Sequence, residues 1–191
     1  VGNAVIRYVA KYRETGDSVS QRKFVGVVTI FYSAIGIIAL IVGVVFVGLF
    51  PTVFAKGLSS SEIALGQKLL GITAINSAVT LAFAAYNNIL IAYERFFISK
   101  GASIVQIIIR IVCTYIALTL GLGSVGIVTV NLILTVITRV GFFLYTTLKL
   151  KLTPLFKGTS LSFIKDIVLY SSFILLQMIA TQINANIAIL I

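Results

Sequence analysis

Residues 24–50 read FVGVVTIFYSAIGIIALIVGVVFVGLF, a run without a charged side chain. As a helix rising ~1.5 Å per residue it exceeds the roughly 30 Å hydrocarbon core of a bilayer. Runs of similar length and apolarity recur at residues 69–92, 103–122, 127–148 and 167–191, and residues 1–10 have the character of the exit end of an earlier span. The whole chain agrees with this reading. Its 191 residues are 59% apolar and 10% charged, with a mean hydropathy of +1.12, far above the balance of a soluble domain. Closed barrels need alternating segments of about ten residues, so continuous apolar runs predict an all-α polytopic transmembrane helix bundle.

The connections between runs are short and leave no room for a soluble domain. Residues 1–191 read as a partial transmembrane domain, because the chain opens on Val1 with no signal-peptide pattern and closes on Ile191 inside an apolar run. Lys and Arg are distributed unevenly over the connections. Residues 7–23 hold five, 93–102 hold two and 149–166 hold four, against two in 51–68 and none in 121–126. Alternate connections thus total eleven against two, and by the positive-inside rule the first, third and fifth are cytoplasmic, which predicts a multi-pass protein of the cytoplasmic membrane.

Local signals fit that topology. Ser59 and Glu62 form an S-x-x-E capping box ahead of the second run, and Ser18 with Gln21 offers a similar start before the first. Lys11 with Glu14 and Arg13 with Asp17 are spaced for pairing along a helix. GLGSVG at 121–126 matches G-x-G-x-x-G, but no strand precedes it and no acid follows about 20 positions on, so a tight turn between two spans explains its glycines.

Several function classes are disfavoured. His is absent, and Cys113 and the acids Glu14, Asp17, Glu62, Glu94 and Asp166 form no cluster, so neither a metal, a cofactor nor acid–base chemistry is expected. The net charge of +10 flanks apolar runs rather than gathering on a soluble face, which argues against nucleic acid. An ion-coupled antiporter needs an intramembrane carboxylate, and no apolar run carries one beyond its ends.

Two arginines stand out against this background. Arg110 and Arg139 lie within the third and fourth runs, about seven and nine residues from their cytoplasmic ends. On antiparallel neighbours they are expected at a similar level, either facing a wet cavity that takes an anion or snorkelling to the interface. Amides recur beside them: Asn76, Asn87 and Asn88 in the second run, Asn131 in the fourth, and Gln177, Gln182, Asn184 and Asn186 in the fifth. Such groups either join helices or line a polar path suited to sugar hydroxyls.

AVIRYVAKYRETGD at 4–17, followed by a long span, resembles the cytoplasmic link after the second helix of the Wzx-type oligosaccharide flippase (polysaccharide biosynthesis) family. That family belongs to the multidrug/oligosaccharidyl-lipid/polysaccharide exporter superfamily. YSSFILLQMIATQIN at 170–184 is similar to the start of its seventh helix, and the order of spans between fits helices three to six. The resemblance implies part of a two-lobed exporter around a central cavity, ending on helix seven. The implied activity turns undecaprenyl-diphosphate-linked oligosaccharides across the bacterial cytoplasmic membrane, with membrane lipids and the remaining helices of the full protein as partners. Arg110 and Arg139 would then attract the diphosphate, with Arg7 at the inner mouth and Asn76, Asn87, Asn131, Gln177 and Gln182 along the glycan path. Members often carry an acid early in helix seven, whereas this stretch has Thr181 and Asn184, so ion coupling through it is in doubt. A lipid II flippase, a multidrug or cation antiporter of the same fold, and a non-transporting membrane scaffold are the alternatives.

Overall fold

A computed structural model of the chain describes residues 2–54 and 57–156. The fifth run at 167–191, with Gln177, Gln182, Asn184 and Asn186, lies outside the described residues, as does Asp166. Among the described residues six α-helices follow one another: α1 (Gly2–Glu14), α2 (Ser18–Phe54), α3 (Ser60–Ala82), α4 (Ala84–Ala92), α5 (Phe96–Thr119) and α6 (Gly123–Leu144). A π turn, Tyr145–Lys149, continues α6, and no strand occurs among the described residues. Four helical stretches, with α3 and α4 counted together and α6 with its π turn, are long and apolar enough to cross a membrane. The protein is therefore a multi-pass, all-α membrane bundle.

α2 runs for 37 residues, about 55 Å, well beyond the uncharged stretch that nucleates it. The expected Ser18–Gln21 start is replaced by an Asp17 cap. Asp17 Oδ1 accepts the Ser20 N–H at 2.9 Å, which frees Gln21 for other partners. Nor does Asp17 pair with Arg13, whose guanidinium stands 5.0 Å over the Tyr93 ring. The second start is as expected: Ser59 N–H donates to Glu62 Oε2 at 2.8 Å and Glu62 N–H donates back to Ser59 Oγ at 3.4 Å.

The run expected at 69–92 is broken at Phe83, although no proline or glycine stands there. The break coincides with an aromatic cluster in which Phe83 and Tyr86 both meet the edge of Phe143, at 6.2 and 5.0 Å between ring centres. Tyr86 N–H turns to the Phe83 carbonyl at 3.2 Å, three residues back, so the ladder tightens where the rings crowd.

Packing follows the small residues. α2 and α3 approach closely because Gly36 and Gly43, seven residues apart, face Ala82 and Ala74. A Cβ on Gly36 would stand 2.8 Å from both the Ala78 carbonyl and Ala82 Cβ, and one on Gly43 would collide with Ala74. Between apolar helices in lipid such contact replaces the hydrophobic effect as the source of association. α3 then packs on α6, and α6 on α5, while α1 lies against α2 and α4.

The GLGSVG stretch is a turn, as expected: Gly121 and Gly123 take φ of 74° and 56°, and Gly126 is buried against Ala117. The main core gathers at the opposite, basic end. It joins Val5 and Val9 of α1, Phe24, Val25 and Val28 of α2, Tyr86, Ile89 and Leu90 of α4, Phe142 of α6 and Leu152.

Two outcomes follow from this packing. Gly43→Leu in the full-length protein is expected to cost about 1–3 kcal/mol by overpacking, whereas Gly48→Ala, whose added methyl meets nothing, is neutral or stabilising. Unfolding of the two variants in detergent measures the difference. The second concerns pH. The Ser20 hydroxyl and N–H hold the Asp17 carboxyl below its ordinary range, so its stabilising effect is complete above about 3.9, the unfolded value. That effect is lost as pH falls through the lower folded value. Amide exchange at Ser20, corrected for intrinsic rate, should accelerate across that acid window in the native protein and show no such step in Asp17→Asn.

Candidate functional site

Because α5 and α6 form an antiparallel hairpin, the Ala117–Gly126 contact at the turn sets which residues face each other. Counting away from it, Arg110 lies level with Ile133 and Arg139 with Ile104. The two arginines are thus offset by six residues, roughly 9 Å along the axis, with Arg110 the farther from the basic end. The offset is one of backbone position: each side chain leans towards the start of its own helix, so on these antiparallel neighbours the two guanidinium groups lean towards each other's level.

Their surroundings differ as well. Arg110 is exposed on α5 and donates from Nη1 to Asn131 Oδ1 at 3.4 Å, tying the middle of α5 to α6. Arg139 is half-buried, and among the described residues it has no hydrogen-bond or ion-pair partner. It follows the buried Thr135 by four residues and precedes Phe143 by four, so it occupies the side of α6 turned to α3 and α4.

Asn76 belongs to the same seam. It sits one heptad before Phe83, and α3 and α6 run in the same direction, so the Phe83–Phe143 contact puts Asn76 level with about residue 136 of α6. Arg139 stands about one turn further on. Asn76 Oδ1 is buried without a hydrogen-bond partner. The seam therefore holds an unanswered donor set and an unanswered acceptor within one helical turn of each other. Both are costly in a dry environment unless something polar joins them.

The remaining candidates are placed elsewhere. Asn87 Oδ1 accepts the hydroxyl of the buried Ser99 at 2.6 Å, which joins α4 to α5, so this amide serves packing. Arg7 is exposed on α1, away from the α3/α6 seam. A shallow apolar groove runs between α5 and α6, bordered by Ile98, Val105, Ile109, Leu134 and Ile137 with Gln106 and Thr138, and no candidate residue lines it. Cys113 is half-buried on α5 and unpaired.

The structure also gives roles to residues that the sequence marked differently or not at all. Gln21 donates to the Val9 carbonyl at 3.1 Å and accepts from the Tyr93 hydroxyl at 3.1 Å, binding α1, α2 and the end of α4 together. Thr29 and Tyr86 share a hydroxyl contact at 3.0 Å. Arg22, expected only as a topology charge, reaches Thr153 across the basic end.

If Arg110 and Asn131 couple as drawn, a double-mutant cycle with Leu at each position should return an interaction of about 1 kcal/mol or less. Single Asn131→Leu should be the most damaging of the three variants, because it strands the cation. No known protein family, characterised protein or solved structure matches this chain.

Proposed function

We propose that this chain is part of a transporter that flips undecaprenyl-diphosphate-linked oligosaccharides across the bacterial cytoplasmic membrane for surface polysaccharide biosynthesis. The observation that supports this reading is Arg139, a cation half-buried inside a spanning helix with no partner among the described residues. An unpaired charge at such a depth costs roughly 3 kcal/mol, and an anionic ligand removes that cost. A diphosphate suits it well, since its oxygens accept the paired N–H groups of a guanidinium in one plane.

In this reading transport proceeds by alternating access, without covalent chemistry, and the basic end faces the cytoplasm. Arg139 takes the diphosphate and the Asn76 side chain stands ready beside it. Arg110 is secondary, because Asn131 already accepts from it. A lipid II flippase would use the same cation for the same diphosphate. A scaffold that transports nothing needs neither arginine.

In the full-length protein, Arg139→Leu should lower export by roughly ten- to a hundred-fold, the loss of one hydrogen-bonded charge contact. Membrane abundance should be unchanged, and Arg139→Leu combined with Arg110→Leu should abolish export. Surface polymer and accumulated lipid-linked intermediate are the quantities to measure. Normal polymer in Arg139→Gln sinks the proposal and favours the scaffold.

A further inference from the structure

After α6 the chain turns back across the basic end and fastens itself to the start of α2. Lys151 takes a φ of 53°, a left-handed conformation uncommon outside glycine, and Leu152 then enters the core with 3% of its surface exposed. Arg22 donates from Nε to the Thr153 carbonyl at 3.1 Å and from Nη2 to Thr153 Oγ1. In return the Leu155 N–H donates to the Arg22 carbonyl at 3.1 Å. The Leu155 carbonyl lies so close to Gly26 that no side chain fits there. Residues 150–156 thus form a strap from the last described span to the first.

The two attachments of this strap differ in kind. At α6 it hangs from the π turn Tyr145–Lys149, where Thr146 is fully buried and its hydroxyl has no partner. Single π turns of this kind are rare and recur at functional sites. At α2 it is held by the Arg22 side chain, whose charge-assisted hydrogen bonds rotation would release, and by the Leu155 N–H on the Arg22 backbone carbonyl. Packing is also uneven along the bundle. The strap closes over the end that holds the main core, while at the other end Ile41, Val44, Val45, Phe46 and Leu49 of α2 are exposed.

We propose that residues 150–156 are a latch: fastened to Arg22, they hold α2 and α6 together and keep the basic end shut, and their release lets that end part. The purpose of the latch rests on the transport reading, in which the two ends open alternately, but its geometry does not. Arg22 acts as a positioning residue for the strap and is not part of the anion site at Arg139.

The test uses the full-length protein in native membranes with Cys113→Ser and a reporter, Ala85→Cys, at a fully buried position of the basic-end core. A membrane-impermeant maleimide is applied from the basic side. Arg22→Gln, and separately the near-isosteric Thr153→Val, should each raise the labelling rate by roughly ten-fold, the effect of losing one charge-assisted bond from the closed state. Unchanged rates in both variants overturn the latch. An equal rise at Ala117→Cys, buried beside the far turn and labelled from that side of the membrane, would mean general loosening and overturns it too. Export measured in parallel separates the two ideas: faster labelling at Ala85→Cys alone, together with normal polymer in Arg139→Gln, leaves the latch standing and removes the transport reading.

Discussion

Hydrocarbon offers no hydrogen bonds, and that constraint governs every level of this protein. The backbone must satisfy itself, so each apolar run becomes a helix. The helices then gain nothing from leaving water when they meet, so they depend on close fit and on the few polar groups they carry. Gly36 and Gly43 against Ala82 and Ala74 supply the fit between α2 and α3. Thr29 with Tyr86, Asn87 with Ser99 and Gln21 with Tyr93 supply polar ties around the basic end.

Against that frame of answered groups, the unanswered ones are informative. Most amides in the described spans are spent on neighbouring helices, which leaves the α3/α6 seam as an exception. There Asn76 keeps a buried oxygen without a donor, and Arg139 keeps a guanidinium without an acceptor. Neither arrangement serves packing. The guanidinium becomes intelligible if the seam receives an anion, whereas the Asn76 oxygen, itself an acceptor, calls for a donor such as a hydroxyl; this separates Arg139 from Arg110, whose Asn131 partner already answers it.

Much of the architecture was legible in the residues. Continuous apolar runs foretold the helices, Ser59 and Glu62 the start of α3, and the glycines of 121–126 the turn between α5 and α6. The start of α2 was misplaced by one residue because Ser18 and Asp17 both qualify as caps, and only the backbone path decides which oxygen meets the Ser20 N–H. The break at Phe83 was hidden, since it coincides with a ring from α6 and local sequence carries no trace of a distant aromatic. Arg22 was hidden for a similar reason. A basic residue beside an apolar run reads as a topology charge, and its partner lies 131 residues away.

By itself the sequence determined that this is an all-α, multi-pass membrane protein with uneven charge across its connections and with cations where carboxylates are missing. Those properties depend on composition and on distances along one helix, which the chain carries locally. Tertiary structure alone decided that Arg110 and Arg139 leave their helices about 9 Å apart along the axis, that one is answered and the other is not, and that the chain returns to strap α2. Those depend on register and contact between helices, which are set by a small-residue contact at Ala117 and Gly126 and by the room that Gly26 leaves for a backbone.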